Sequence, residues 1–310
     1  MLTAIQTAIS ILLLIYLGAI SRKLDILRKG DERVLSSYVY YFAIPSLLFI
    51  NITQTDFSFD TIKYIIIAIL PIFIFIILTI SICFLLGVER ETLYLLIVSS
   101  IFGSTVFFGI PFIIFAYPEN GEKLAVLAAS FMGVIGVSIS ITILEVYKLR
   151  ELKIIVGLKN VARRLARNPI IISIILGIIA SIIGLDIPIP LLTPLHMIGK
   201  TTATVAIFML GVFLYGRRYT KLGFALKLSL IRIILLPALT ITMLKLFFNL
   251  SDIESIVLTI MHGTPVAISL IVLSERYNFY KDIIASTILI SSLISVISLN
   301  IWIYLLDIFI

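Results

Sequence analysis

Apolar residues in this chain come in long unbroken runs and do not alternate with polar ones. Ten runs stand out, at about 2–21, 34–51, 62–86, 92–116, 123–146, 169–184, 196–216, 226–248, 254–274 and 283–306. A helix needs roughly 20 apolar residues to cross a hydrocarbon core, so each run predicts a transmembrane helix, the sixth being short. The pattern therefore predicts an all-α membrane protein with ten transmembrane helices.

Two runs are interrupted at a proline. The fourth contains Gly109-Ile110-Pro111 and the ninth His262-Gly263-Thr264-Pro265. Proline removes a backbone donor and its ring clashes with the preceding turn, while glycine unwinds easily. Irregular backbone at bilayer depth is tolerated only where protein buries it or where it lines a water-filled cavity. The fourth and ninth helices are thus predicted to break. Ser104 and Thr105 are placed to satisfy freed backbone groups in the first break. New helices are expected to start at Pro111 and at Thr264-Pro265, with Thr264 as the N-cap. A single proline kink is common in membrane helices, but paired interruptions in two halves of a chain point to the substrate site of a secondary transporter.

The halves are separated by the polar segment Tyr147 to Asn168, which carries seven Lys or Arg. Five runs precede it and five follow, so the second half must enter the membrane in the opposite direction. This predicts a 5+5 inverted repeat: residues 1–146, a cytoplasmic linker over 147–168, and residues 169–310. In that arrangement the fourth and ninth helices run antiparallel and the two half-helix N-termini converge. Their positive dipole ends would form an anion site that needs no buried lysine.

Composition and charge refine this picture. The 310 residues are 61% hydrophobic and 13% charged, with a mean hydropathy of +1.20, which is unlike a soluble domain. The net charge of +7 could suggest nucleic acid, but its distribution does not. Along ten spans, nineteen Lys and Arg fall on one side, from Arg22 and Lys23 to Arg276 and Lys281. The other side holds only Lys63, Lys123, Lys200 and Lys245. The positive-inside rule puts the first group in the cytoplasm and both termini outside the plasma membrane. The first run lacks a basic leader and is followed by Arg22-Lys23, so it is expected to be a retained helix. The lone Cys83 excludes an intramolecular disulfide.

Few residues could carry chemistry. His262 adjoins the second break, where it could couple transport to protons or simply be satisfied by a carbonyl. Arg232 lies just over one turn from Lys227 and is expected to snorkel to the cytoplasmic surface. Glu145 and Glu275-Arg276 fall at span ends, where solvation or pairing is expected. No Asp or Glu is centred in a span, which argues against a cation antiporter. His-Glu-x-x-His, a mid-membrane Asp pair and a workable Ser–His spacing are all missing, so an enzyme is not predicted and no cofactor or metal is called for. Small residues recur at Ala125, Ala129, Gly133 and Gly136, and again at Thr287, Ser291, Ser295 and Ser298, as close helix packing in lipid requires.

The stretch Phe102-Gly103-Ser104-Thr105-Val106-Phe107-Phe108-Gly109-Ile110-Pro111 resembles the fourth-span signature of the auxin efflux carrier family, the PIN-like transporters. Asn168-Pro169, and Met197 through Gly211, are similar to that family's sixth and seventh spans. Thr264-Pro265-Val266-Ala267, leading to Leu273-Ser274-Glu275-Arg276-Tyr277 and Ala285-Ser286-Thr287, is the most specific match. The resemblance implies scaffold and transport domains drawn from an inverted repeat, with the fourth and ninth helices crossing in an X. It further implies alternating access, export of an organic anion such as auxin or a dicarboxylate, and a homodimer formed through the scaffold. Family asparagines correspond here to Ser104 and Ser269, which keep a hydroxyl but lose the paired amide donors. A family proline is Thr204, and His262 replaces a small residue. The expected solute-binding set is Ser104, Thr105, Gly109, Pro111, His262, Gly263, Thr264, Pro265 and Ser269. The rival reading is a sodium-coupled organic-anion symporter resembling the bile acid transporters, which would need carboxylates near the breaks.

Overall fold

The computed structural model describes residues 2–28, 30–148, 163, 166–216, 219–248 and 250–309. Most of the predicted linker over 147–168 lies outside the described residues. Within them the chain is helical and contains no strand. The helices are α1 (Leu2–Lys23), α2 (Asp31–Thr53), α3 (Phe59–Leu85), α4 (Arg90–Ile101), α5 (Thr105–Ala116) and α6 (Gly121–Lys148). They continue as α7 (Pro169–Ile182), α8 (Ile189–Leu214), α9 (Leu222–Phe247), α10 (Asp252–His262), α11 (Leu270–Tyr277) and α12 (Lys281–Phe309). Six of them, α2, α3, α6, α8, α9 and α12, are long and apolar enough to cross a membrane. The fourth apolar run is divided into α4 and α5, and the ninth into α10 and α11.

Backbone contact holds the bundle where small residues permit it. A Cβ built on Gly18 of α1 would overlap the carbonyl oxygen of Phe208 in α8, and one on Gly211 would overlap that of Ile15. The two helices therefore pack main chain against main chain. Ala125 and Ala129 of α6 are fully buried, and a Cβ on Gly136 would lie 3.2 Å from the Ile101 carbonyl, so this stripe seats α6 against the end of α4. Large apolar side chains such as Phe59 and Phe84 point outward, over 80% exposed, as lipid-facing residues do.

Among the described residues, three helices contain a widened π turn of five residues: Val39–Ala43 in α2, Thr105–Gly109 in α5 and Ile231–Leu235 in α9. Each is followed directly by a residue and then a proline, namely Ile44-Pro45, Ile110-Pro111 and Leu236-Pro237. A proline ring clashes with the carbonyl four residues back. Widening the preceding turn moves that carbonyl aside, and π turns of this sort are frequent at functional sites. The carbonyl left without its donor must then be satisfied elsewhere. At Pro237 that carbonyl is Ile233 O, and the indole Nε1 of Trp302 on α12 donates to it at 3.0 Å.

Candidate functional site

The first break is Phe102–Ser104, seven to nine residues before Pro111. It opens with an inverse γ-turn: Phe102 has φ −86° and ψ 80°, and Gly103 N–H donates to Ile101 O at 3.1 Å. Helix resumes at Thr105, not at Pro111 as the glycine–proline pattern predicts. Pro111 sits inside α5, its lost bond absorbed by the π turn in which Gly109 donates to Ser104 O and Ile110 to Thr105 O. Gly109 serves close packing: a Cβ there would lie 2.7 Å from Met261 Sδ and 2.9 Å from Thr264 Cγ2.

The second break runs over 263–269, and α11 begins at Leu270 with Ser269 immediately before it. Thr264 does not cap that helix. Its hydroxyl donates to Met261 O at 2.8 Å, the carbonyl that loses its α-helical partner because residue 265 is proline.

The two breaks pair with each other. Ser104 N–H donates to Pro265 O at 2.8 Å and Ala267 N–H to Phe102 O at 2.9 Å, placing Gly103 opposite Val266 as in a short antiparallel ladder. Val266 N–H, left over at the edge, donates to Ser291 Oγ of α12 at 3.1 Å. Non-helical backbone is thus satisfied by the other break and by one serine.

Arg232 closes this arrangement. Instead of snorkelling, it lies in the π turn of α9 and is only 1% exposed. Its Nε donates to Thr264 O at 2.7 Å, its Nη2 to Thr264 Oγ1 at 3.0 Å, and its Nη1 to Ser100 O. A Cβ on Gly103 would coincide with Nη2, so glycine is needed there to admit the guanidinium. Ser100 lies in the last turn of α4, and Thr264 lies just past the end of α10. These are the negative ends of two helix dipoles, with carbonyls that have no intrahelical donor. They hold the cation without an acid: no carboxylate is among its partners in the described residues.

Of the predicted site residues, Ser104, Gly263, Thr264 and Pro265 belong to the paired breaks, and Thr105, Gly109 and Pro111 to the helix that follows the first. Ser104 and Thr105 are each 4% exposed. His262 is fully buried, but its Nδ1 is 2.9 Å from Leu258 O of its own helix and its Nε2 has no hydrogen bond. Ser269 is partly exposed, and its carbonyl receives the Val272 N–H at 3.2 Å. Sequence reasoning missed Arg232, Ser100 and Ser291 as members of this cluster. The available signal was a lone arginine inside an apolar run, five residues before a proline. Away from the breaks, Glu145 is buried and accepts the Tyr277 hydroxyl at 2.5 Å, tying α6 to α11, and Tyr280 donates to Glu91 at 2.9 Å.

Residues 3–303 match the family described as membrane transport protein. An uncharacterized transporter of Methanocaldococcus jannaschii is 27% identical over 306 residues, covering 94% of this chain and 95% of its own. A protein of Rhizobium meliloti bearing the name "Putative malonate transporter" is 26% identical over 151 residues, 47% of this chain and 46% of its own. With the match spanning nearly the whole chain, this protein belongs to the membrane transport protein family, that of the auxin efflux carrier-like proteins, and is a transporter and not an enzyme.

Proposed function

We propose that the protein is a secondary transporter that exports a small organic anion across the plasma membrane, with the paired breaks as its solute site. The observation that carries this reading is the backbone pairing of Gly103 with Val266, where two interrupted helices meet inside the bundle. In transporters, discontinuous helices place their N-termini at the anionic groups of the solute. Here those N-termini belong to α5 and α11, and hydroxyls of Ser104, Thr105 and Ser269 lie beside them. The chain crosses the membrane ten times as a 5+5 inverted repeat, α4–α5 and α10–α11 each counting as one broken span, with both termini outside. One group of helices moves against a scaffold, through which two copies associate, to expose the site alternately to each side. The malonate named for one relative supports a small carboxylate as the solute.

A thermal-shift screen of the purified protein in detergent tests this reading. Indole-3-acetate, malate, malonate, citrate and bile acids would each be added in sodium or potassium buffers at two pH values. Stabilisation by a carboxylate in both buffers is the expected result. Stabilisation by sodium alone would move the assignment to a sodium-coupled symporter, and indifference to every carboxylate would overturn it.

A further inference from the structure

We propose that Arg232 is the residue that makes the site select an anion, and that its bonds tie the end of α4 to the second break. The proposal rests on the solute-site reading above and adds a residue and a charge requirement to it. Charged side chains within membrane spans are costly and mark substrate or ion pathways. Arg232 is buried, bonded to the carbonyl of Ser100 at the end of α4 and to that of Thr264 in the second break, and has no carboxylate partner in the described residues.

Three donations, to Ser100 O, Thr264 O and Thr264 Oγ1, leave two of the five guanidinium N–H groups uncommitted. Both uncommitted groups belong to the Nη atoms, the edge that matches a carboxylate in two parallel bonds. A carboxylate arriving between the breaks supplies the missing negative charge, takes the two uncommitted Nη donors, and draws the guanidinium away from Ser100 O and Thr264 Oγ1. Solute binding therefore loosens the arginine's grip on α4 and on the second break, and so frees the two segments to move relative to each other. Nε, which donates to Thr264 O, keeps the side chain anchored during this exchange. A neutral solute does not balance the charge and so does not draw the guanidinium away from Ser100 O and Thr264 Oγ1.

The test uses the full chain in detergent, malonate, and its uncharged diamide malonamide. Wild type should be stabilised by malonate and not by malonamide. Arg232→Gln should lose malonate affinity at least tenfold, while Arg232→Lys, which keeps the charge but not the fork, should lose less. A wild-type protein that binds malonamide as tightly as malonate overturns the proposal without needing any variant. A folded Arg232→Gln protein with unchanged malonate affinity also overturns it, and leaves the solute site standing. If Arg232→Gln fails to fold, the comparison passes to Arg232→Lys: weakened malonate affinity in a folded lysine variant supports the proposal, and affinity and preference for malonate over malonamide both unchanged from wild type refute it. A wild type indifferent to malonate and to every other carboxylate removes the solute-site reading itself.

Discussion

The bond between Trp302 and Ile233 can be measured through the residue that makes it necessary. Ile233 O would accept from the N–H of residue 237 in an α-helix, but residue 237 is proline, and the indole of Trp302 donates instead at 3.0 Å. Replacing Trp302 with Phe keeps an aromatic ring and leaves the carbonyl without a donor. An unsatisfied buried acceptor costs about 1–3 kcal/mol, although side-chain bonds between membrane helices average nearer ~0.6 kcal/mol with a maximum of ~1.7. In Pro237→Ala the N–H is restored, so the same Trp302→Phe change should cost less. We expect a coupling of about 1 kcal/mol in the four-protein cycle, read from reversible SDS unfolding in mixed micelles. Circular dichroism is the suitable signal because Trp302 is the only tryptophan. Cycles isolate such pairwise terms provided that each single change removes only the contact in question. Additivity within about 0.3 kcal/mol would refute the claim that the indole replaces the missing proline donor.

Other outcomes follow from the same contacts. Gly103→Ala places a methyl where Arg232 Nη2 lies, so the guanidinium must withdraw. With charged hydrogen bonds worth roughly 1.5–3 kcal/mol each, a loss of at least ~2 kcal/mol and a fall in malonate-dependent stabilisation should appear in thermal-shift assays. Gly211→Ala and Gly18→Ala force α1 and α8 apart and should each lower the melting temperature, whereas Gly223→Ala, with open space around it, should not. Tyr277→Phe removes the 2.5 Å bond to Glu145 and should destabilise the junction of α6 and α11, seen as faster amide exchange there than in α1. Pro111→Ala and Pro265→Ala proteins assayed in proteoliposomes should both lose transport; full activity in both would rule out the paired breaks as the moving site.

The all-helical membrane architecture is legible in the sequence because apolar run length reports on the bilayer, and among the described residues six helices are long and apolar enough to cross it. That two helices break is legible too, since glycine and proline act locally. The place of the first break is not. Proline at 111 suggested unwinding there, but a π turn absorbs the lost bond within the helix, and the chain opens at Gly103 because the ladder to Val266 and the Arg232 guanidinium both need that space. Thr264 followed by proline reads as a helix start, yet the hydroxyl turns back to Met261 O. Arg232 was hidden for a similar reason. Its distance from Lys227 along the helix is known from the sequence, but its burial rests on acceptors at Ser100 and Thr264, in segments far away along the chain.

The π turns ahead of Pro45, Pro111 and Pro237 also fix which way each helix faces. Every such turn holds one residue more than an α-helical turn, so tightening it would swing the remainder of the helix by about 100° and displace it by about 1.5 Å. In α9 the segment past the turn would then show lipid the flank that now carries buried Met243 and Leu244. Closing such a turn is therefore a change of phase more than a straightening. Its natural compensation is the deletion of one neighbouring residue, which would return the two ends of the helix to their present facing.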